Sequence, residues 1–116
     1  MTVTERVDLV TYMVSKKFET ICKDLFGQGA NVVYDDLDFH FNKFGFVEIT
    51  ANAACYKDNM LNAITRCLFV MRQKEFEKLD QKSKYIITKQ DKYVDGFSAV
   101  YFIKEETIGQ QVLEVL

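Results

Sequence analysis

Asp36, Asp38 and His40 stand at i, i+2 and i+4 in a segment with alternating apolar residues. On a strand that spacing sends all three side chains from one face. Glu48 follows on a second alternating segment, and a hairpin would bring it opposite His40. Carboxylates and an imidazole are the ligand types a divalent metal takes. A carboxylate beside His40 would also favour the charged imidazole and orient it as a general base. Two points weigh against chemistry here. Same-face side chains on a strand are roughly 6.5–7 Å apart, too far for one ion to collect all three without rearrangement. Polar residues are also what the solvated face of a two-layer sheet requires. No nucleophile motif, phosphate-cradling glycine loop or metal-binding helix motif accompanies them. The chain therefore reads as non-enzymatic and without a cofactor. In the alternative reading, a metal-dependent enzyme or metal-binding protein, His40 and Glu48 are the catalytic candidates and Asp36, Asp38 and His40 the metal ligands.

The cysteines add no catalytic signal. Cys22, Cys55 and Cys67 are an odd number with no C-x-x-C pair, so neither a zinc pattern nor a secreted disulfide framework fits. Buried thiols in a reducing cytoplasm are the expectation. Cys67 falls on an apolar face, and Cys55 has no histidine near it in sequence. Glu5, Arg6 and Asp8 interrupt the N-terminus, which excludes a signal peptide, and no apolar run approaches the roughly 20 residues that span a bilayer.

The elements that must position the polar cluster follow from periodicity. Val7, Val10, Val14, Phe18, Ile21 and Leu25 recur at helical spacing and predict a helix over Val3–Phe26. Thr2 and Glu5 have capping-box spacing, and Gly27 and Gly29 supply the stop. Beyond Val32 the period becomes two. Val33, Leu37, Phe39 and Phe41 alternate with Tyr34, Asp36, Asp38 and His40, and Val47, Ile49, Ala51 and Ala53 alternate with Glu48, Thr50 and Asn52. A three-residue loop, Lys43-Phe44-Gly45, puts Gly45 at the left-handed position of a G1-bulge turn. It pairs Phe41 with Val47, Phe39 with Ile49, Leu37 with Ala51, His40 with Glu48, Asp38 with Thr50 and Asp36 with Asn52. Met60, Ile64, Cys67, Leu68, Met71 and Phe76 then suggest a second long helix, capped by Asp58 or Asn59 and ending near Leu79. Tyr85–Thr88 and Phe97–Lys104 read as a second hairpin, Tyr85 opposite Ile103, Ile86 opposite Phe102 and Ile87 opposite Tyr101. Thr107–Leu116 reads as a terminal helix. The expected fold is a single α+β domain over residues 1–116, with helices on one face of a four-stranded antiparallel sheet in the order α-β-β-α-β-β-α.

One strand breaks the pattern. Phe97, Ala99, Tyr101 and Ile103 alternate with Val100 and Phe102, so both of its faces are apolar. A sheet with one wet face leaves no room for such a strand unless another element or a second chain covers it. Phe97, Val100, Tyr101 and Phe102 are therefore the expected partner contact. Charge points the same way by exclusion. With 15 basic and 17 acidic residues in 116, the chain is neither a strongly basic nucleic-acid module nor an acidic disordered tail. Residues 57–92 alone are basic, nine against five. Arg66, Arg72, Lys74, Lys78 and Lys82 carry the weaker nucleic-acid reading, without a recognised motif. No family is recognisable from particular residues. In order of elements alone the chain is similar to roadblock-like dimerisation domains and to small acidic type III secretion chaperones, a likeness that implies a dimer binding other proteins. The sequence thus predicts a cytoplasmic protein-binding domain, an adaptor, regulator or inhibitor of a size common in viruses and phages, acting as a homodimer and without membrane contact.

Overall fold

Thr2 opens the first helix by accepting the Glu5 N–H at 3.1 Å, and helix α1 runs Val3–Phe26 as its periodicity predicts. It stops at Gly27, whose φ of +96° is a backbone state that favours glycine, and Lys57 Nζ donates to the last carbonyl, Phe26 O. The structure, a computed structural model, describes residues 1–35, 37–90 and 96–107. After α1 come β1 (Ala30–Tyr34), β2 (Asp38–Phe41), β3 (Phe46–Lys57), β4 (Met60–Arg72), α2 (Gln73–Lys78), α3 (Gln81–Gln90) and β5 (Phe97–Thr107). The strands form one antiparallel sheet in the order β1-β3-β4-β5, with β2 also on β3. This is a two-layer α+β arrangement. The sheet has five strands rather than four, and the element order on which the family likeness rested is not the observed one.

The first hairpin has the expected register: Phe41 faces Val47, His40 faces Glu48, Phe39 faces Ile49 and Asp38 faces Thr50. Gly45 has φ +85°, as the turn requires. Asn42 Oδ1 accepts the Phe44 and Phe46 N–H groups, and Gln73 Nε2 donates to Asn42 O at 2.9 Å, tying the start of α2 to this loop. Above Asp38 the expectation fails. Tyr34 pairs with Ala53 and the Asp35 N–H reaches Asn52 O at 3.0 Å, while the expected Asp36–Asn52 pair falls on a residue outside those described. Between Tyr34 and Asp38 the chain uses three residues where β3 uses two, a bulge that reverses side-chain parity. Val32 and Tyr34 therefore join the core side, and Val33 is turned out at 59 % exposure.

The expected second helix is the largest error. Asp58 and Asn59 do not cap it; with φ of +53° and +61° they form the two-residue turn of a long hairpin, Lys57 facing Met60. The apolar residues at 60, 64, 67, 68 and 71 match a helical face by coincidence. The segment also alternates as Cys67, Phe69, Met71 against Leu68 and Val70, and the first set is fully buried. Tyr85–Thr88, expected as a strand, lies inside α3. Asp80 starts that helix, its carboxylate accepting the Ser83 N–H at 2.9 Å and the Ser83 hydroxyl at 3.1 Å. With no strand at 85–88, β5 pairs with β4 instead: Met71 faces Phe97, Phe69 faces Val100, Leu68 faces Tyr101 and Cys67 faces Phe102. The expected terminal helix falls on residues 108–116, outside the described residues; Thr107 is the last residue of β5.

One core lies between the sheet and the helices. Leu9, Val10, Met13, Val14 and Phe18 of α1 pack on Val47, Ile49, Ala51, Phe69 and Met71, together with Phe76 of α2 and Ile87 of α3. Phe69 stands edge-on to Phe18, with ring centres 5.3 Å apart, and Phe76 does the same against Phe41. A smaller cluster joins Ile21, Cys22, Phe26, Ala30 and Cys55 at the end of α1.

Candidate functional site

Because paired residues in an antiparallel sheet point the same way, the register maps the face that the described helices leave uncovered. One row reads His40, Glu48, Val70, Ala99, and the next reads Asp38, Thr50, Leu68, Tyr101. A further row sets Val33, Ala54 and Ile64 together. The face is therefore divided. Polar groups occupy β2 and the adjoining part of β3, β4 and β5 present Leu68, Val70, Ala99 and Tyr101, and the register row Asn52, Arg66, Lys104 separates that patch from the Ile64 row. Tyr101 is 53 % exposed and Ile64 40 %.

Asp38, His40 and Glu48 share this face as expected; Asp36 lies outside the described residues. Among the described residues no three His, Cys, Asp or Glu side chains are grouped to hold a metal ion, and no hydrogen bond or ion pair joins His40 to Glu48. His40 and Asp38 are exposed on the short strand β2. What this end offers is an exposed polar margin beside the apolar half.

The four expected contact residues separate. Tyr101 stands exposed on the outer face, whereas Phe97 and Val100 pack against the core. A register shift between Val70 and Met71 brings Phe97 to the same side as Val100, a parity that simple alternation in the sequence does not predict. Phe102 pairs with Cys67 in the ladder. The missed members of the face, Leu68 and Val70, were hidden by the helical reading of β4. The signal for them was the unbroken apolar run Leu68-Phe69-Val70-Met71, which suits a strand with both faces covered.

The basic residues do not converge. Arg66 sits in mid-β4, six residues and roughly 20 Å from Arg72 along the strand. Lys74 and Lys78 lie on α2 and Lys82 on α3, and Lys78 is paired with Glu75 at 3.7 Å. Arg72 and Lys74 line an open groove of about 460 Å³ with Phe44, Phe46, Gln73 and Glu77 at the tip of the first hairpin. The three cysteines are buried thiols, none in a disulfide. No described helix is long and apolar enough to cross a membrane. No protein-family model, no curated protein and no solved structure matches the chain.

Proposed function

We propose that the chain is a small non-enzymatic protein-binding domain, an adaptor, regulator or inhibitor of the cytoplasm, that acts as a homodimer through the outer face of its sheet. The observation that carries this reading is the adjacency of Leu68, Val70, Ala99 and Tyr101 on a face that no described helix covers. Burying such a face is favourable at about 25 cal/mol per Å² of apolar area. Four strand positions about 4.8 Å apart and a paired length of some 12 residues at about 3.3 Å give a face on the order of 700 Å². That matches the roughly 800 Å² each partner contributes to a standard interface. Asp38, His40, Glu48 and Thr50 form a polar margin, as the rim of an interface does.

Light scattering coupled to size exclusion tests this over a wide concentration range. The expected result is a mass near twice 13.5 kDa for the native chain. A Leu68→Asp/Tyr101→Asp double variant should run as folded monomer. A native chain that stays at 13.5 kDa at every concentration refutes self-association. An unchanged dimer in the double variant refutes the assignment of the face.

A further inference from the structure

Cys22, in the C-terminal part of α1, and Cys55, near the end of β3, meet in the small buried cluster beneath the β1–β3 pair, at 0 % and 1 % exposure. The Cys22 thiol donates to the Asn31 carbonyl at 3.2 Å, and Asn31 is paired with Tyr56, the residue after Cys55. Cys55 lies in the same cluster, and its thiol and the Tyr56 N–H both favour the Cys22 thiolate. The two thiols are thus neighbours, brought together by the bond of Cys22 to Asn31 and the pairing of β1 with β3. They are not equivalent. Burial is the first influence on both and opposes ionisation; at Cys22 the bonds from Cys55 and Tyr56 and the Lys23 charge work the other way. At Cys55 the neighbouring thiols add to the effect of burial. Cys22 is therefore the easier to ionise, and Cys55 is the partner that keeps its proton.

We propose that Cys22 and Cys55 are a disulfide-forming pair that a small-molecule disulfide such as oxidised glutathione converts to an intramolecular cross-link. The Cys22 thiolate attacks one glutathione sulfur, a Cys22–glutathione bond forms, and the other glutathione leaves as a thiolate that takes up a proton. Cys55 then gives up its proton and attacks the Cys22 sulfur, expelling the second glutathione. Two protein thiols are oxidised to one disulfide, and one glutathione disulfide is reduced to two thiols. Because both sulfurs are buried, the reaction passes through opening of the end of α1 and is slow. The product fastens that end of the helix to the sheet across the intervening residues 23–54. Cys67 belongs to the other core cluster and serves as the internal control.

The test incubates the full native chain with oxidised glutathione, blocks remaining thiols under denaturing conditions, and reads intact mass and non-reducing peptide maps. The expected product is lighter by two hydrogens, links the peptides of Cys22 and Cys55, and leaves Cys67 blocked by the alkylating reagent. Its melting temperature should rise by on the order of 10 °C and return on reduction. A Cys55→Ala variant should accumulate a glutathione adduct on Cys22. A native product carrying stable glutathione adducts, a link to Cys67, or a link that appears only in denaturant would overturn the proposal.

Discussion

Replacing Phe69 by Ala and, separately, Leu68 by Ala distinguishes the strand β4 from the helix that its spacing imitates. Phe69 has no exposed surface, and its ring lies 5.3 Å from Phe18 and 5.2 Å from Phe97. Truncating a phenyl group in such a place removes its transfer free energy and leaves a cavity, together about 3–5 kcal/mol. A chain of 116 residues has a total stability of roughly 6–17 kcal/mol, so a large part of it would be lost. Leu68 is the next residue but points to the outer face, half-buried, and its truncation should cost about 1 kcal/mol. Urea unfolding followed by far-ultraviolet circular dichroism reads the difference. Slopes of about 1–3 kcal/mol per molar urea make the midpoint of Phe69→Ala lower than that of Leu68→Ala by roughly 1 M or more. Protein concentrations low enough to keep the chain monomeric prevent association from adding to the Leu68 value. In a helix the order would reverse, because Leu68 would share the apolar face with Ile64, Cys67 and Met71, and Phe69 would lie off it. A loss for Leu68→Ala equal to or larger than that for Phe69→Ala would refute the register on which the outer face depends.

Two further substitutions probe single backbone and charge effects. At Gly45 an added Cβ meets nothing within 4 Å, so Gly45→Ala should cost only the positive φ, about 1–2 kcal/mol. At Gly27 the Cβ would also come within 3.0 Å of Lys57 Nζ, which caps α1, and Gly27→Ala should lower the thermal midpoint more than Gly45→Ala does. Hydrogen bonds from the Ser83 N–H and hydroxyl hold the Asp80 carboxyl below its ordinary range. Its folded-state value is thus depressed, so its contribution is complete above the unfolded value near pH 3.8 and is lost as pH falls through the folded value. The melting temperature of the native chain should exceed that of Asp80→Ala at pH 7, and the gap should close below pH 4. A gap unchanged at pH 3 would contradict the capping role.

The elements legible in the sequence are those whose signals are local and agree. In α1 the cap, the apolar stripe and the stop coincide, and in the first hairpin Gly45 and the alternation select one register. Elsewhere one residue type served two purposes. Asp58 and Asn59 suit a helix cap and equally a turn with two positive φ angles, and only the alternation of Cys67, Phe69 and Met71 separates the cases. In α3 the run Tyr85-Ile86-Ile87-Thr88 favours a strand by propensity, but burial of Ile87 against the core holds it as helix. Asp80 three residues before Ser83 was the overlooked helix-start signal. Of the candidate site, the grouping of Asp38, His40, Glu48 and Thr50 was readable from the hairpin. Its apolar continuation was not, because Leu68 and Val70 depend on β4 and the side taken by Phe97 depends on a register shift that leaves no mark in composition.

The additional residue between β1 and β2 also acts as insulation. An uninterrupted strand along that border would expose a long, regular row of backbone donors and acceptors on which further copies could add without limit. Splitting it into lengths of five and four residues leaves no stretch long enough to template a neighbour well. Under the proposed self-association through the flat of the sheet, growth along the border would compete with that contact.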